Sequence, residues 1–151
     1  MKLSGKNRAM NEYSVERVGE EVKETLVMVH GYGAGLGFFY RNYEPLTRMP
    51  GWKLYSLDML GMGNSVSRAA PGDPGRRAWD RTANSLQSRP PFKVQAKDKK
   101  GKISEAEGWF VDALEEWRIE RKIDKFTLLG HSLGGYLAVS TPSNTRATSR
   151  S

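Results

Sequence analysis

Residues 125–139 read KFTLLGHSLGGYLAV. An apolar run (126–129) enters a serine flanked by glycines, and an apolar helical start (133–139) leaves it. A strand, a tight turn and a helix in that order lift a serine hydroxyl clear of a sheet. They also set it at a helix N-terminus, where the dipole favours developing negative charge. The strained turn leaves little room two residues to either side of the serine, and Gly130 and Gly134 meet that demand in Gly130-His131-Ser132-Leu133-Gly134. Ser132 is accordingly read as a nucleophile, with the Leu133 backbone N–H as one donor of an oxyanion hole. The plainer alternative is a structural strand–helix turn with an incidental serine.

Working outward, TLVMVHGY (25–32) and WKLYSLDML (52–60) are continuous apolar runs, each closing on glycine. With 125–131 they read as three strands buried on both faces of a parallel sheet. GLGFFYRNYEPLTRM (35–49) carries Leu36, Phe39, Tyr40 and Tyr43 at helical spacing, and Pro45 is expected to disturb that helix. SEAEGWFVDALEEWRIERK (104–122) places Ala106, Trp109, Phe110, Ala113, Leu114 and Trp117 on one face, and Ser104 with Glu107 reads as a capping box. Strand and helix alternate, which predicts an α/β fold with central parallel strands and flanking helices. Its strand ends gather the glycine loops on one edge.

The first of those loops is His30-Gly31-Tyr32-Gly33-Ala34-Gly35. With Ser132 downstream, the Tyr32 backbone N–H is the second oxyanion donor, and Gly31 and Gly33 let the chain approach a substrate. No G-K-[ST] follows, so a phosphate-binding loop of the Walker kind is excluded. A serine nucleophile needs an imidazole base, and the chain has two histidines. His131 sits beside the nucleophile and leaves the turn in another direction. His30 ends a strand, where a structural hydrogen bond is the expectation. Asp58, before Gly61-Met62-Gly63, is expected to cap its own turn rather than orient a histidine. Neither an acid nor a base for Ser132 is identified.

The chain holds 151 residues, 38% of them hydrophobic, with no cysteine, so disulfides and thiolate metal sites are excluded. The net charge of +7 raises nucleic-acid binding, yet 66–87 and 141–151 contribute +2 each, and no aromatic–basic pattern accompanies the arginines. No nucleic-acid partner is expected. Three regions follow: a charged N-terminal segment (1–24), a partial α/β domain (25–140) and a tail (141–151). Within the domain, 66–87 lacks periodicity and reads as a disordered insert; the tail reads as disordered too. No run reaches the length of a membrane span. The N-terminus lacks the apolar core of a secretory signal, and its Lys2, Lys6 and Arg8 are soon met by Glu12 and Glu16.

TLVMVHGYGAGLGFFYRNYEPL, GWKLYSLDMLGMGNS, SRPPFKV, EGWFVDALEEWR and IDKFTLLGHSLGGYLAV together resemble the α/β-hydrolase-fold lipid acyl hydrolases and acyltransferases. The resemblance is nearest to the fungal mitochondrial cardiolipin-specific deacylases. It implies Ser132 as nucleophile and the His30–Gly33 loop as the oxyanion side. It also implies a phospholipid or lysophospholipid substrate met at a membrane surface, a mitochondrial location, no metal or organic cofactor and no defined protein partner. In that family the glycine turn runs almost directly into S-R-P-P-F, whereas 66–87 intervenes here. The family's later strands, catalytic Asp and His-x-x-x-x-Asp motif have no counterpart in this sequence. Both departures begin Val-Ser (Val66-Ser67, Val139-Ser140), as a translated intron would. The expectation is a hydrolase fold truncated after the nucleophile helix. The resemblance implies a serine ester hydrolase or acyltransferase by ancestry, and without the catalytic Asp and His this chain as it stands is expected to be inactive. The alternative to the enzyme reading is a catalytically inactive truncated fragment or a non-enzymatic interaction module.

Overall fold

The computed structural model describes residues 1–4, 8–65 and 95–141. The expected insert (66–87), the SRPPFKV segment and all of the tail beyond Thr141 lie outside those residues.

Four strands form one sheet: β1 (Glu12–Glu16), β2 (Glu24–Val29), β3 (Trp52–Leu57) and β4 (Thr127–Gly130). The order is β1-β3-β2-β4. The three apolar runs stand side by side, and β2 pairs parallel with both β3 and β4. The central strands are parallel as expected, and β1 adds an antiparallel strand outside them. It pairs with β3, Glu12 opposite Leu57 and Glu16 opposite Lys53, so the charged N-terminal segment covers the β3 edge.

Side chains alternate between two cores, as a period of two requires. Leu26 and Met28 of β2 and Leu54 of β3 pack with Phe39 on one face. Val27, Val29, Tyr55 and Leu57 pack with Ala113, Trp117 and Leu137 on the other. The first face is covered by a 3-10 turn (Leu36–Phe39) and α1 (Tyr40–Thr47), which runs through Pro45 and stops two residues later. The second is covered by α2 (Lys99–Glu120) and α3 (Leu133–Ser140). Each large apolar side chain buried in this way contributes about 1.5–3 kcal/mol.

The capping box assigned to Ser104 and Glu107 is corrected. α2 begins a turn and a half earlier, where the Asp98 side chain accepts the Gly101 N–H at 3.0 Å. Asp caps a helix as well as Ser does. Glu105 closes the entry instead, accepting the Gln95 and Ala96 N–H groups at 2.8 Å each. Glu107 faces α3, where it accepts the Tyr136 hydroxyl and holds that phenol above its ordinary pKa.

The N-terminal residues strap onto α2. Leu3 and Met10 enter the core beside Trp117. Arg8 meets Glu116 at 3.2 Å, and Glu12 accepts the Trp117 indole N–H at 2.6 Å and pairs with Arg121.

Candidate active site

β2, β3 and β4 are parallel, so their C-terminal ends deliver His30, Asp58 and Ser132 to one edge of the sheet. Ser132 is the residue between β4 and α3, and its backbone sits at φ 54°, ψ −115°. That positive φ for a residue with a Cβ stores about 1–3 kcal/mol and persists only where the surroundings over-determine it. They do so here. The His131 N–H donates to Val29 O, Gly134 N–H to His131 O and Tyr136 N–H to Ser132 O, each at 3.0 Å.

The motif glycines are required by close approach. A Cβ at Gly134 would stand 2.7 Å from His30 O and nearer still to Val29 O, and one at Gly130 would collide with the Gly134 carbonyl. Gly31 brings the first loop to the serine: a Cβ there would lie 3.1 Å from Ser132 Cβ and 3.1 Å from His131 Nδ1. The loop folds back through Ala34 N–H to Gly31 O at 3.2 Å, with Gly33 at φ 70°. Among the described residues, neither the Tyr32 nor the Leu133 N–H donates a hydrogen bond. Both are the donors assigned to the oxyanion hole, and Ser132 itself is exposed.

His30 is fully buried, and both ring nitrogens are occupied. Nε2 accepts the Met59 N–H at 3.0 Å, and Nδ1 lies 2.7 Å from Gly31 O, to which it must donate. That arrangement describes a neutral Nδ1–H imidazole with no lone pair left to act as a base. His131 is exposed, and its ring lies on that of Phe38, centroids 4.8 Å apart at 31°. Phe38 was overlooked in sequence because the helical spacing selected Phe39 and Tyr40. Neither imidazole is hydrogen-bonded to Ser132, and no described group is hydrogen-bonded to its Oγ.

Asp58 is 1% exposed, and among the described residues no Lys or Arg pairs with it. Its Oδ2 accepts the Asn64 N–H at 2.8 Å, so it does close the Gly61–Gly63 turn. Gly63, at φ 55°, has no space for a Cβ beside this carboxylate. Asp58 also accepts the Leu36 N–H at 2.5 Å, the first amide after the His30–Gly35 loop. No group of three or more potential metal ligands occurs among the described residues.

The alpha/beta hydrolase fold family matches residues 24–145. The chain belongs to that family. A protein from Oryza sativa subsp. japonica, named "Probable 1-acylglycerol-3-phosphate O-acyltransferase", is 39% identical over 79% of this chain and 22% of its own length. The Arabidopsis thaliana 1-acylglycerol-3-phosphate O-acyltransferase is 36% identical over 89% of this chain and 25% of its own. The crystal structure of the enol-lactonase from Burkholderia xenovorans superposes with a TM-score of 0.60 at 12% identity, covering 91% of this chain and 38% of that one. This α/β-hydrolase chain therefore spans about a quarter of the length of the curated relatives it matches.

Proposed function

We propose that Ser132 is the nucleophile of an acyl-ester reaction on a phospholipid or lysophospholipid. The observation that carries the reading is the strained Ser132 backbone at a helix N-terminus, packed against Gly31 of the first loop. Ser132 Oγ would attack the ester carbonyl, giving its proton to a base, while Tyr32 and Leu133 N–H groups receive the charge on the carbonyl oxygen. The leaving lysolipid alcohol would take that proton. Water would then release the fatty acid from acyl-Ser132, or a lysophosphatidic acid hydroxyl would accept the acyl group. The relatives named as 1-acylglycerol-3-phosphate acyltransferases support the lipid class. Cardiolipin as the substrate, met at the mitochondrial inner membrane, is the finer form of the same reading and rests on the resemblance alone. No cofactor enters the scheme.

A second reading has an observation of its own. Both imidazoles are engaged elsewhere, so this chain offers Ser132 no base and would be a catalytically silent or interaction module. Chemical rescue separates the two. The chain is incubated with a fluorophosphonate probe and free imidazole as exogenous base, and modification is located by peptide mass spectrometry. Label confined to Ser132 and lost in Ser132→Ala supports the nucleophile. An unlabelled Ser132, or equal labelling of both proteins, overturns it.

A further inference from the structure

We propose that Asn11 is a positioning residue for the oxyanion loop, acting through Asp58. The proposal rests on reading 30–35 as the oxyanion side. Asp58 is a buried carboxylate whose nearest imidazole, His30 at 3.8 Å, is neutral because its Nε2 accepts the Met59 N–H. A buried carboxylate without a cation is tolerable only when its lone pairs are filled by donors. Three N–H groups fill them. Leu36 N–H reaches Oδ1 at 2.5 Å, and Oδ2 takes the Asn64 N–H at 2.8 Å and Asn11 Nδ2–H at 2.9 Å. Two of these donors are backbone groups of the site loops. Among the described residues, Asn11 is the one donor that comes from outside them.

Asn11 holds Asp58 by its main chain as well. Asp58 N–H donates to Asn11 O at 3.0 Å. Asn11 N–H donates to Ser65 Oγ at 2.7 Å, and that hydroxyl donates to Asp58 O at 2.6 Å. The residue is delivered there by the antiparallel pairing that begins at the next position, Glu12 opposite Leu57. The consequence for the site is geometric. The loop starts at His30, pinned by Met59 N–H, and ends at Leu36, pinned by Asp58. The Tyr32 N–H lies between the two pins. A Gly35 Cβ would stand only 3.1 Å from Asp58 Oδ1, so the carboxylate lies close against the end of the loop. Removing the Asn11 donor leaves a buried lone pair that the Asn64 and Leu36 amides must share.

Residue-resolved amide hydrogen exchange on the full chain tests this. In Asn11→Ala the Leu36 and Asn64 amides should exchange about tenfold faster, the worth of one charge-assisted bond. The Ala113 and Trp117 amides of α2 should keep their rates. Asn11→Asp sets two carboxylates together and should accelerate the same two amides further. The swap Asn11→Asp with Asp58→Asn separates positioning from general loosening. The new side-chain amide at position 58 has one acceptor oxygen for Leu36 and turns its NH2 toward the new carboxylate at position 11. Leu36 should regain protection while Asn64 stays fast. Unchanged Leu36 and Asn64 rates in Asn11→Ala, or a rise shared equally by α2, would overturn the proposal. So would recovery of both amides, or of neither, in the swap. The exchange pattern is read whether or not Ser132 takes a fluorophosphonate, so an unlabelled Ser132 beside the expected pattern overturns the catalytic reading alone.

Discussion

Gly31 rests against Ser132: a Cβ there would stand 3.1 Å from the serine Cβ, so tight that a neighbour would have to give by a few tenths of an ångström. The 30–35 loop and the Ser132 turn are thus packed on each other rather than merely close. Gly31→Ala should push the Tyr32 N–H away from Ser132. The expected result is a roughly tenfold drop in imidazole-assisted labelling of Ser132 with about 1–2 kcal/mol of stability lost, the ordinary cost of mild overpacking. Gly134→Ala meets backbone oxygen on β2 instead, and should cost about 3 kcal/mol or more in urea denaturation. Equal losses in the two variants would refute this distinction.

His30 is expected to behave as a structural imidazole. Nitrogen-15 shifts should report one neutral tautomer, protonated at Nδ1. His30→Ala leaves the buried Met59 N–H without an acceptor and opens a cavity, so about 2–4 kcal/mol should be lost on denaturation. A ring that exchanges freely between tautomers would contradict the geometry.

Glu12 joins the N-terminal strand to α2 through the Trp117 indole and Arg121. Glu12→Ala strands the indole N–H at the edge of the core. A destabilisation of about 1–2 kcal/mol is expected, with a shift of the Trp117 indole proton resonance. A resonance that stays in place would show that the strap holds without this bond.

These elements differ in how far the sequence revealed them, and the reason is physical. β2, β3 and β4 were legible because burial on both faces forces unbroken apolar runs. β1 (EYSVE) was not, because a strand that is mostly exposed needs few apolar residues to join an edge. The start of α2 was displaced because Ser104 and Glu107 mimic a cap, while the working cap, Asp98, is followed by Lys-Lys-Gly-Lys, which carries no apolar period. The strand–turn–helix around Ser132 was legible, since its glycines are dictated locally. Asn11 left no trace, because its partner lies 47 residues away across a pairing that the sequence did not announce.

Acid should loosen the end of α2. Arg118 donates to Glu115 at 2.7 Å and to Ile123 O at 2.5 Å, fastening the helix to the turn before β4. The guanidinium holds the Glu115 carboxyl below its ordinary value of 4.5. Stability from a depressed carboxyl is present above the unfolded pKa and lost as pH falls through the folded one. Glu115 is 42% exposed, so solvent screening limits the pair to about 0.3–0.5 kcal/mol. Between neutral pH and about pH 3, Glu115→Gln should flatten the acid limb of the stability curve by that amount. An unchanged acid limb would show the pair to be inert.

The last prediction concerns the sheet edge opposite β1. Among the described residues β4 pairs with β2 on one side and with nothing on the other. Leu129 is 36% exposed on it, and Tyr136 and Val139 of α3 are 51% and 86% exposed. An open edge carrying apolar side chains templates pairing with other chains. The β3 edge does not share this liability, since β1 covers it along five residues and carries Glu12 and Glu16. Self-association should therefore run through β4 and rise with concentration, visible in size-exclusion chromatography and in binding of a hydrophobic dye. Leu129→Lys puts a charge at a position that already meets solvent, and should suppress association while costing less than about 1 kcal/mol in stability. Tyr13→Lys, on β1, is the matched control and should leave association unchanged. Equal suppression by both substitutions would show that net charge, and not the β4 edge, governs the assembly.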